Sequence, residues 1–264
     1  MSNESQVTDT DTYGYPYPIV RDIRVKDLLE ALTKAIDDFK ALPTHLIFLC
    51  IIYPAVTVVF ARAFAGYDVL PLVFPLLAGY TLIGPVVAIG VYELSRRREL
   101  GEMVSRLDSF KILRNPSIAS IVILTILLMV IYFAWLVTAQ AIYTAYMGDA
   151  IPESIMAFVG QVFGTAAGWG LIVVGSGVGF VFAVVVFSLS VVSFPLLLDR
   201  NVGVVVAIQT SIKAVMSNPL TMFLWGLVVA LLLIAGSLPL FVGLAIVLPV
   251  LGHATWHVYR KVVQ

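Results

Sequence analysis

The positions of the basic residues constrain this chain more than any other feature of its sequence. Of its 16 Lys and Arg residues, all but Arg62 lie in four segments that flank long apolar stretches, and none lies between Arg114 and Arg200. Lys and Arg collect in the cytoplasmic loops of membrane proteins. The distribution therefore predicts a polytopic membrane protein with both termini on the cytoplasmic side. Arg62 lies near the outer end of the first apolar stretch, where its long side chain can reach water.

Six apolar stretches are long enough to cross a bilayer, which takes about 20 apolar residues in a helix. Charged residues make up only 12% of the chain, about half the usual fraction in a soluble domain. We therefore predict an all-α, polytopic membrane protein whose six transmembrane helices lie at about 44–65, 70–94, 117–147, 168–198, 219–236 and 238–259. The last two stretches meet at a turn signal from Gly236 to Pro239, and a re-entrant hairpin is the alternative there. Residues 1–18 are expected to form a disordered cytoplasmic tail, and residues 19–264 a single six-span domain.

One pattern recurs three times, and it consists of an amphipathic segment followed by a proline that opens an apolar stretch. The segments are 25–40, 100–113 and 204–216, and the prolines are Pro43, Pro116 and Pro219, of which the last two follow an asparagine. Proline at the start of a helix loses no hydrogen bond. The pattern predicts three hairpins with amphipathic helices on the cytoplasmic surface. Amphipathic connectors that arose independently are the alternative.

Helical spacing in the first copy sorts its residues onto two faces. An apolar stripe is formed by Val25, Leu28, Leu29, Leu32, Ile36 and Phe39. The opposite face is expected to carry the charged residues Lys26, Glu30, Lys34 and Asp38. This arrangement predicts that all four charged side chains face water.

Seven polar residues are expected at the cytoplasmic ends of the apolar stretches. They are His45, Glu93, Asp199, Arg200, His253, His257 and Tyr259. His253 and His257 are four residues apart, so they share one helix face and are candidate ligands of a metal ion or a haem. Ionisable residues within membrane spans are functional candidates. Interfacial anchoring, or a structural hydrogen-bond network, is the alternative for this set.

Glycines in the fourth stretch have a spacing that is typical of close helix packing. Gly164 and Gly168 are four residues apart, as are Gly175 and Gly179, and this spacing lets a second helix approach. The Gly-rich run there is not a nucleotide-binding loop, because no strand precedes it. The sequence contains no P-loop, HExxH motif or nucleophile elbow. We therefore predict no catalytic residues and do not expect an enzyme.

Several short motifs resemble those of one bacterial integral-membrane family. They are LIGP at 82–85, SFPLLLDR at 193–200, NP at 218–219, WG at 225–226 and LPVLGHATWHVYR at 248–260. The chain after its tail resembles the family catalogued as domain of unknown function 2189, which implies the bacterial inner membrane. Some members carry the label "putative cytochrome c oxidase subunit", which implies a respiratory complex as a partner. A catalytic haem–copper subunit needs about six histidine ligands, whereas this chain has 3 histidines.

These observations predict a non-enzymatic accessory protein of the inner membrane. It would bind lipid, or another membrane protein such as a respiratory complex, through its fourth span and its surface helices. One alternative is a haem- or metal-binding protein that uses His253 and His257. A second is a small-molecule or lipid transporter, since many transporters contain repeats. The zero net charge indicates no nucleic-acid partner.

Overall fold

A computed structural model describes residues 18–42, 44, 48, 70–105, 108, 112–149, 151–239 and 241–264. Over these residues the chain is α-helical, and its β-structure is one isolated bridge. The helices are α1 (Val25–Ala41), α2 (Leu70–Glu99), α3 (Ile118–Met147), α4 (Ile155–Gly164), α5 (Ala166–Ser190), α6 (Ser193–Asp199), α7 (Val204–Ser217), α8 (Pro219–Ser237) and α9 (Leu244–Val262). The predicted all-α class is confirmed for this part of the chain.

Three helical segments are long and apolar enough to cross a membrane. They are Ile118–Met147, Ala166–Asp199 and Pro219–Ser237, and they coincide with the third, fourth and fifth predicted spans. The second and sixth predicted spans correspond to helices α2 and α9, while nearly all of the first, 44–65, lies outside the described residues. The chain is therefore an integral membrane protein with several apolar helices, and the count of six spans in three hairpins stays a prediction.

A break separates α5 from α6 and bends the fourth apolar segment. Val191 and Val192 form a turn between the two helices. The Ser193 hydroxyl lies 2.6 Å from the carbonyl oxygen of Leu189 and 3.0 Å from that of Ala207, which is part of α7. Ser193 thus supplies the polar contact that a bent helix needs in an apolar setting. The short helix α6 that follows is almost wholly buried and forms part of the core.

Helix α1 packs against α9 through a face of small residues. Leu28, Ala31 and Ala35 are buried there, and the two alanines let the helix axes approach closely. Asp38 is buried on the same face, so the prediction that it faces water with Lys26, Glu30 and Lys34 is wrong. Residues 28, 31, 35 and 38 follow the i, i+3, i+7 spacing of one helix face, and the apolar stripe drawn from the sequence was centred too far toward Val25.

The first and last described segments of the chain pair with each other. Val20 and Val263 form the antiparallel bridge. The amide of Arg21 donates to the carbonyl of Val262 at 2.8 Å, and the amide of Gln264 donates to the carbonyl of Ile19 at 3.0 Å. These bonds fix the start of α1 beside the end of α9.

The surface helices α1 and α7 are each held by other helices. Helix α1 packs on α9, and α7 packs on α5 and α6. The side-chain amide of Asn115 donates to the carbonyl of Leu198 at 3.1 Å, ahead of α7. The amide of Asn218 donates to the carbonyl of Arg21 at 3.0 Å, ahead of α1. Each of the two Asn-Pro sites therefore holds a segment of chain that leads into α7 or α1.

Two segments differ from the sequence prediction. The described part of 100–113 contains no α-helix, because Gly101 adopts φ 75° and ends α2. Conversely, helix α4 forms between the third and fourth predicted spans, where no helix was predicted. Its signal was Ser154, whose hydroxyl accepts the amide hydrogen of Ala157 at 3.1 Å and so caps the helix.

A candidate polar site centred on Asp38

The carboxylate of Asp38 joins three helices. Its Oδ2 accepts a hydrogen bond from the Ser95 hydroxyl of α2 at 2.8 Å and lies 2.8 Å from Nε2 of His257 in α9. Its Oδ1 accepts a hydrogen bond from the Arg98 guanidinium of α2 at 2.8 Å. Asp38 itself belongs to α1 and is only 7% exposed. We call this set, with His253, the Asp38 cluster.

The surroundings of Asp38 keep it ionised. Burial raises the pKa of its carboxyl group, but the hydrogen bonds from His257 and Ser95 outweigh burial and hold the pKa below its ordinary value. The charge of Arg98, whose side chain is 39% exposed, balances that of the carboxylate. Asp38 is therefore a charged acceptor at neutral pH, and each donor bonded to it must keep its hydrogen.

His253 is held through Ser95 rather than by Asp38 directly. Its Nδ1 lies 2.6 Å from the Ser95 hydroxyl oxygen and 3.7 Å from Asp38 Oδ2. Because Ser95 donates its hydrogen to Asp38, its oxygen accepts from Nδ1–H of His253. This network assigns the tautomer and leaves a lone pair on Nε2. The side chain of His253 is fully buried, and Nε2 has no hydrogen-bond partner among the described residues.

A second polar group, here called the Asp199 cluster, lies at the end of α6 and α9. Tyr259 donates its hydroxyl hydrogen to Asp199 at 2.7 Å, and Arg260 donates to the same oxygen at 3.3 Å. Arg200 approaches Asp199 to 3.9 Å. Arg260 also donates to Glu99 of α2 at 3.2 Å, so this group joins the ends of α2, α6 and α9.

Glu93 belongs to neither cluster. It is buried and forms ion pairs with Arg96, at 2.9 Å, and with Arg97 on its own helix. The hydrogen bond to Glu93 raises the pKa of Arg96 above its ordinary value. Arg97 also reaches Glu102 at 2.9 Å. Glu93 is therefore neutralised by arginines of its own helix.

The structure thus divides the predicted set of seven residues. His253 and His257 meet around Asp38, whereas Asp199, Arg200 and Tyr259 meet in the other cluster. His45 lies outside the described residues. Sequence reasoning missed Asp38, Ser95 and Arg98 as members of the site. The available signal was Asp38, an acidic residue in register with the buried face of α1.

The arrangement leaves little room for a metal ion shared by the two histidines. His257 uses Nε2 with Asp38, and His253 uses Nδ1 with Ser95. Within the described part of the chain, no three His, Cys, Asp or Glu residues are grouped so that they could hold a metal ion. A metal that took both imidazoles and kept these bonds would have to bind Nε2 of His253 and Nδ1 of His257.

The four glycines proposed for helix packing have different surroundings. A Cβ on Gly168 would meet the backbone oxygen of Val162 in α4, so this glycine permits the close turn from α4 to α5. A Cβ on Gly179 would lie 3.1 Å from the Trp135 ring of α3. At Gly164 and Gly175, a Cβ would meet no other atom within 4 Å.

Comparison with known proteins places the chain among membrane proteins. No curated protein and no solved structure matches it. A family model does match residues 73–199, from α2 to the end of α6, and its description is "Predicted integral membrane protein (DUF2189)". The match includes Glu93 and Asp199 and is shorter than the resemblance seen in the sequence, whose later motifs at 218–260 lie outside it. Over residues 73–199 the chain is therefore similar to this family of integral membrane proteins, domain of unknown function 2189.

Proposed function

We propose that the chain is a non-enzymatic accessory protein of the bacterial inner membrane, which binds anionic lipid headgroups through its surface helices. The observation that carries this proposal is an exposed apolar stripe on α1. Val25, Leu29 and Ile36 are 50%, 60% and 43% exposed. Their spacing places all three on one side of the helix, next to the face that packs on α9.

Such a stripe is unfavourable in water and favourable at the edge of a bilayer. Burying a large aliphatic side chain stabilises it by about 1.5–3 kcal/mol, and amphipathic helices at membrane surfaces gain this energy from lipid. Lys40 lies beside the stripe, and Lys26 lies midway between the stripe and Lys34 rather than in its predicted position opposite the stripe. Both lysines are exposed, and neither forms an ion pair with the described residues. A lysine near an anionic surface contributes about 1 kcal/mol. Stripe and charges together therefore favour an anionic bilayer surface over bulk water.

Helix α7 repeats the arrangement, which supports the proposal independently. Val205 and Met216 are exposed on one side of α7, and Lys213 is exposed beside them. In the predicted topology both surface helices lie on the cytoplasmic side, where anionic lipids attract basic residues. Two copies of one lipid-facing arrangement are more easily explained by a shared role than by chance.

The test uses charge reversals on two sides of α1. The protein is reconstituted in bilayers of mixed zwitterionic and anionic lipid, and the lipids retained on gentle extraction are counted by native mass spectrometry. Lys26→Glu and Lys40→Glu should each weaken retention of anionic lipid by about 30-fold, since each reversal removes roughly 2 kcal/mol of attraction. Lys34→Glu is the matched control, because Lys34 lies on the opposite side of the helix.

The outcomes separate the readings of this surface. Equal losses in all three variants, or in none, would contradict the proposal. A second membrane protein that is retained by the wild type and lost with Lys26→Glu and Lys40→Glu would instead show that the surface binds protein.

A further inference from the structure

We propose that His253 is the hydrogen-bond acceptor of a binding site for an apolar molecule that carries a hydroxyl group, that is, a membrane-soluble alcohol or phenol. The hydroxyl would donate to Nε2 of His253, and the apolar body would lie among the helices beside it. This inference does not rest on the lipid-headgroup role of α1, because it concerns the buried side of the Asp38 cluster.

The repeat shows that the fold does not require this cluster. Asp38 lies five residues before Pro43, and Ala214 lies five residues before Pro219. Ala214 is fully buried, and α7 packs on α5 and α6 without a carboxylate at this position. A surface helix of this design can therefore dock without a buried charge, through small residues and the hydroxyl of Ser211, which accepts the amide hydrogen of Val192. The charged group at the matching place in α1 needs a reason other than docking.

The hydrogen bonds of the cluster determine what His253 can accept. Asp38 holds Ser95, and Ser95 holds Nδ1–H of His253, so the ring is fixed with a bare lone pair on Nε2. A buried acceptor without a partner destabilises a protein substantially, and native structures rarely leave one unexplained. Histidines that bind metal ions in proteins are oriented in the same way. One ring nitrogen donates its hydrogen to a polar group, and this bond fixes the ring so that the other nitrogen faces its ligand.

The surroundings favour a hydroxyl on an apolar body over a lone water molecule. Gly252, next to His253, contacts Val91 and Ala88 of α2, so the neighbours on that side of α9 are apolar. A buried water needs two to four polar partners. In the described ranges, the other buried side-chain atoms without a partner are the Thr44 hydroxyl oxygen and Nε1 of Trp225. One acceptor in apolar surroundings suits a ligand with one donor.

Two classes of membrane molecule share this chemistry, namely a quinol, which has a phenolic hydroxyl, and a diacylglycerol, which has an alcohol. The protein with ¹⁵N-labelled histidine is purified in detergent, and the Nε2 resonance is followed by NMR as a short-chain benzoquinol or a short-chain diacylglycerol is added. The O-methylated analogue of each probe serves as its control, because it keeps the shape and lacks the donor. We expect one hydroxyl probe to shift the Nε2 resonance saturably and its ether to bind about tenfold more weakly.

Two variants separate binding at Nε2 from a general effect on the fold. His253→Asn keeps a donor near Ser95 but has no acceptor at the Nε2 position, so it should lose about tenfold in affinity for the hydroxyl probe. His253→Gln can place its amide oxygen near that position and should recover part of the loss. The affinity of each variant for the hydroxyl probe is measured by calorimetry. Equal affinity for probe and ether, no saturable shift with either probe, or a stoichiometric metal ion at Nε2 would overturn the proposal.

Discussion

Replacing Asp38 by alanine tests how much the buried cluster contributes to the fold. The variant copies Ala214 of the matching surface helix, yet it removes the acceptor of Ser95, Arg98 and His257. Breaking a buried ion pair by removing one partner costs about 3–5 kcal/mol. Arg98 is 39% exposed and regains water, whereas Ser95 and His253 stay buried. We therefore expect the free energy of unfolding to fall by about 3 kcal/mol, at the lower end of that range.

The assay is equilibrium unfolding in mixed micelles of a mild detergent and dodecyl sulfate, followed by tryptophan fluorescence. Asp37→Ala is the matched control, because Asp37 is exposed on the same helix, and it should change stability by less than about 0.5 kcal/mol. Ala214→Asp is the reciprocal test. It places a carboxylate in a buried contact without known donors and should destabilise by about 3 kcal/mol or more. An Asp38→Ala variant as stable as the Asp37→Ala control would refute the reasoning.

Three further predictions follow from single contacts. The folded-state pKa of Asp38 lies below the ordinary 3.8, so the stability difference between wild type and Asp38→Asn should be complete above about pH 4 and shrink as the pH falls through the lowered pKa; unfolding measured across that range checks it. Asn218→Ala removes a buried side chain that bonds two backbone groups ahead of α1, and it should destabilise by about 2 kcal/mol in the same unfolding assay. Gly168→Ala should lower the thermal midpoint because its Cβ would collide with the backbone of Val162, whereas Gly175→Ala should leave the midpoint unchanged or raise it.

Periodicity and charge predicted the apolar helices well. The segments Ile118–Met147 and Pro219–Ser237 begin and end within one residue of the predicted spans, because length and hydropathy alone determine such helices. The hydroxyl residues Ser188, Ser190 and Ser193, with Pro195, predict a kink stabilised by hydroxyls at the end of the fourth span, and the structure has its break there, at Val191 and Val192. The contact between Ser193 and Ala207 of another helix was not predicted. Local sequence cannot report contacts of this kind.

The candidate site was only half predictable, and the reason is geometric. The pairing of His253 with His257 follows from their spacing on one helix. Their partner Asp38 is more than 200 positions away in the sequence, and it lies near the border between the apolar and polar faces of α1. If the buried face of α1 is placed less than a quarter of a turn from its true position, Asp38 is assigned to water instead of to the core. Long-range pairing decided its place.

The proposed lipid-binding role depends on how α1 lies at the bilayer, and spin labels measure this directly. With Cys50 replaced by serine, single labels at Leu29 and at Lys34 are compared in reconstituted bilayers for collision with oxygen, which concentrates in lipid, and with a water-soluble nickel complex. The account predicts that the label at Leu29 collides mainly with oxygen and the label at Lys34 mainly with nickel. Two labels that are equally accessible to nickel would contradict it, because the apolar stripe would then face water.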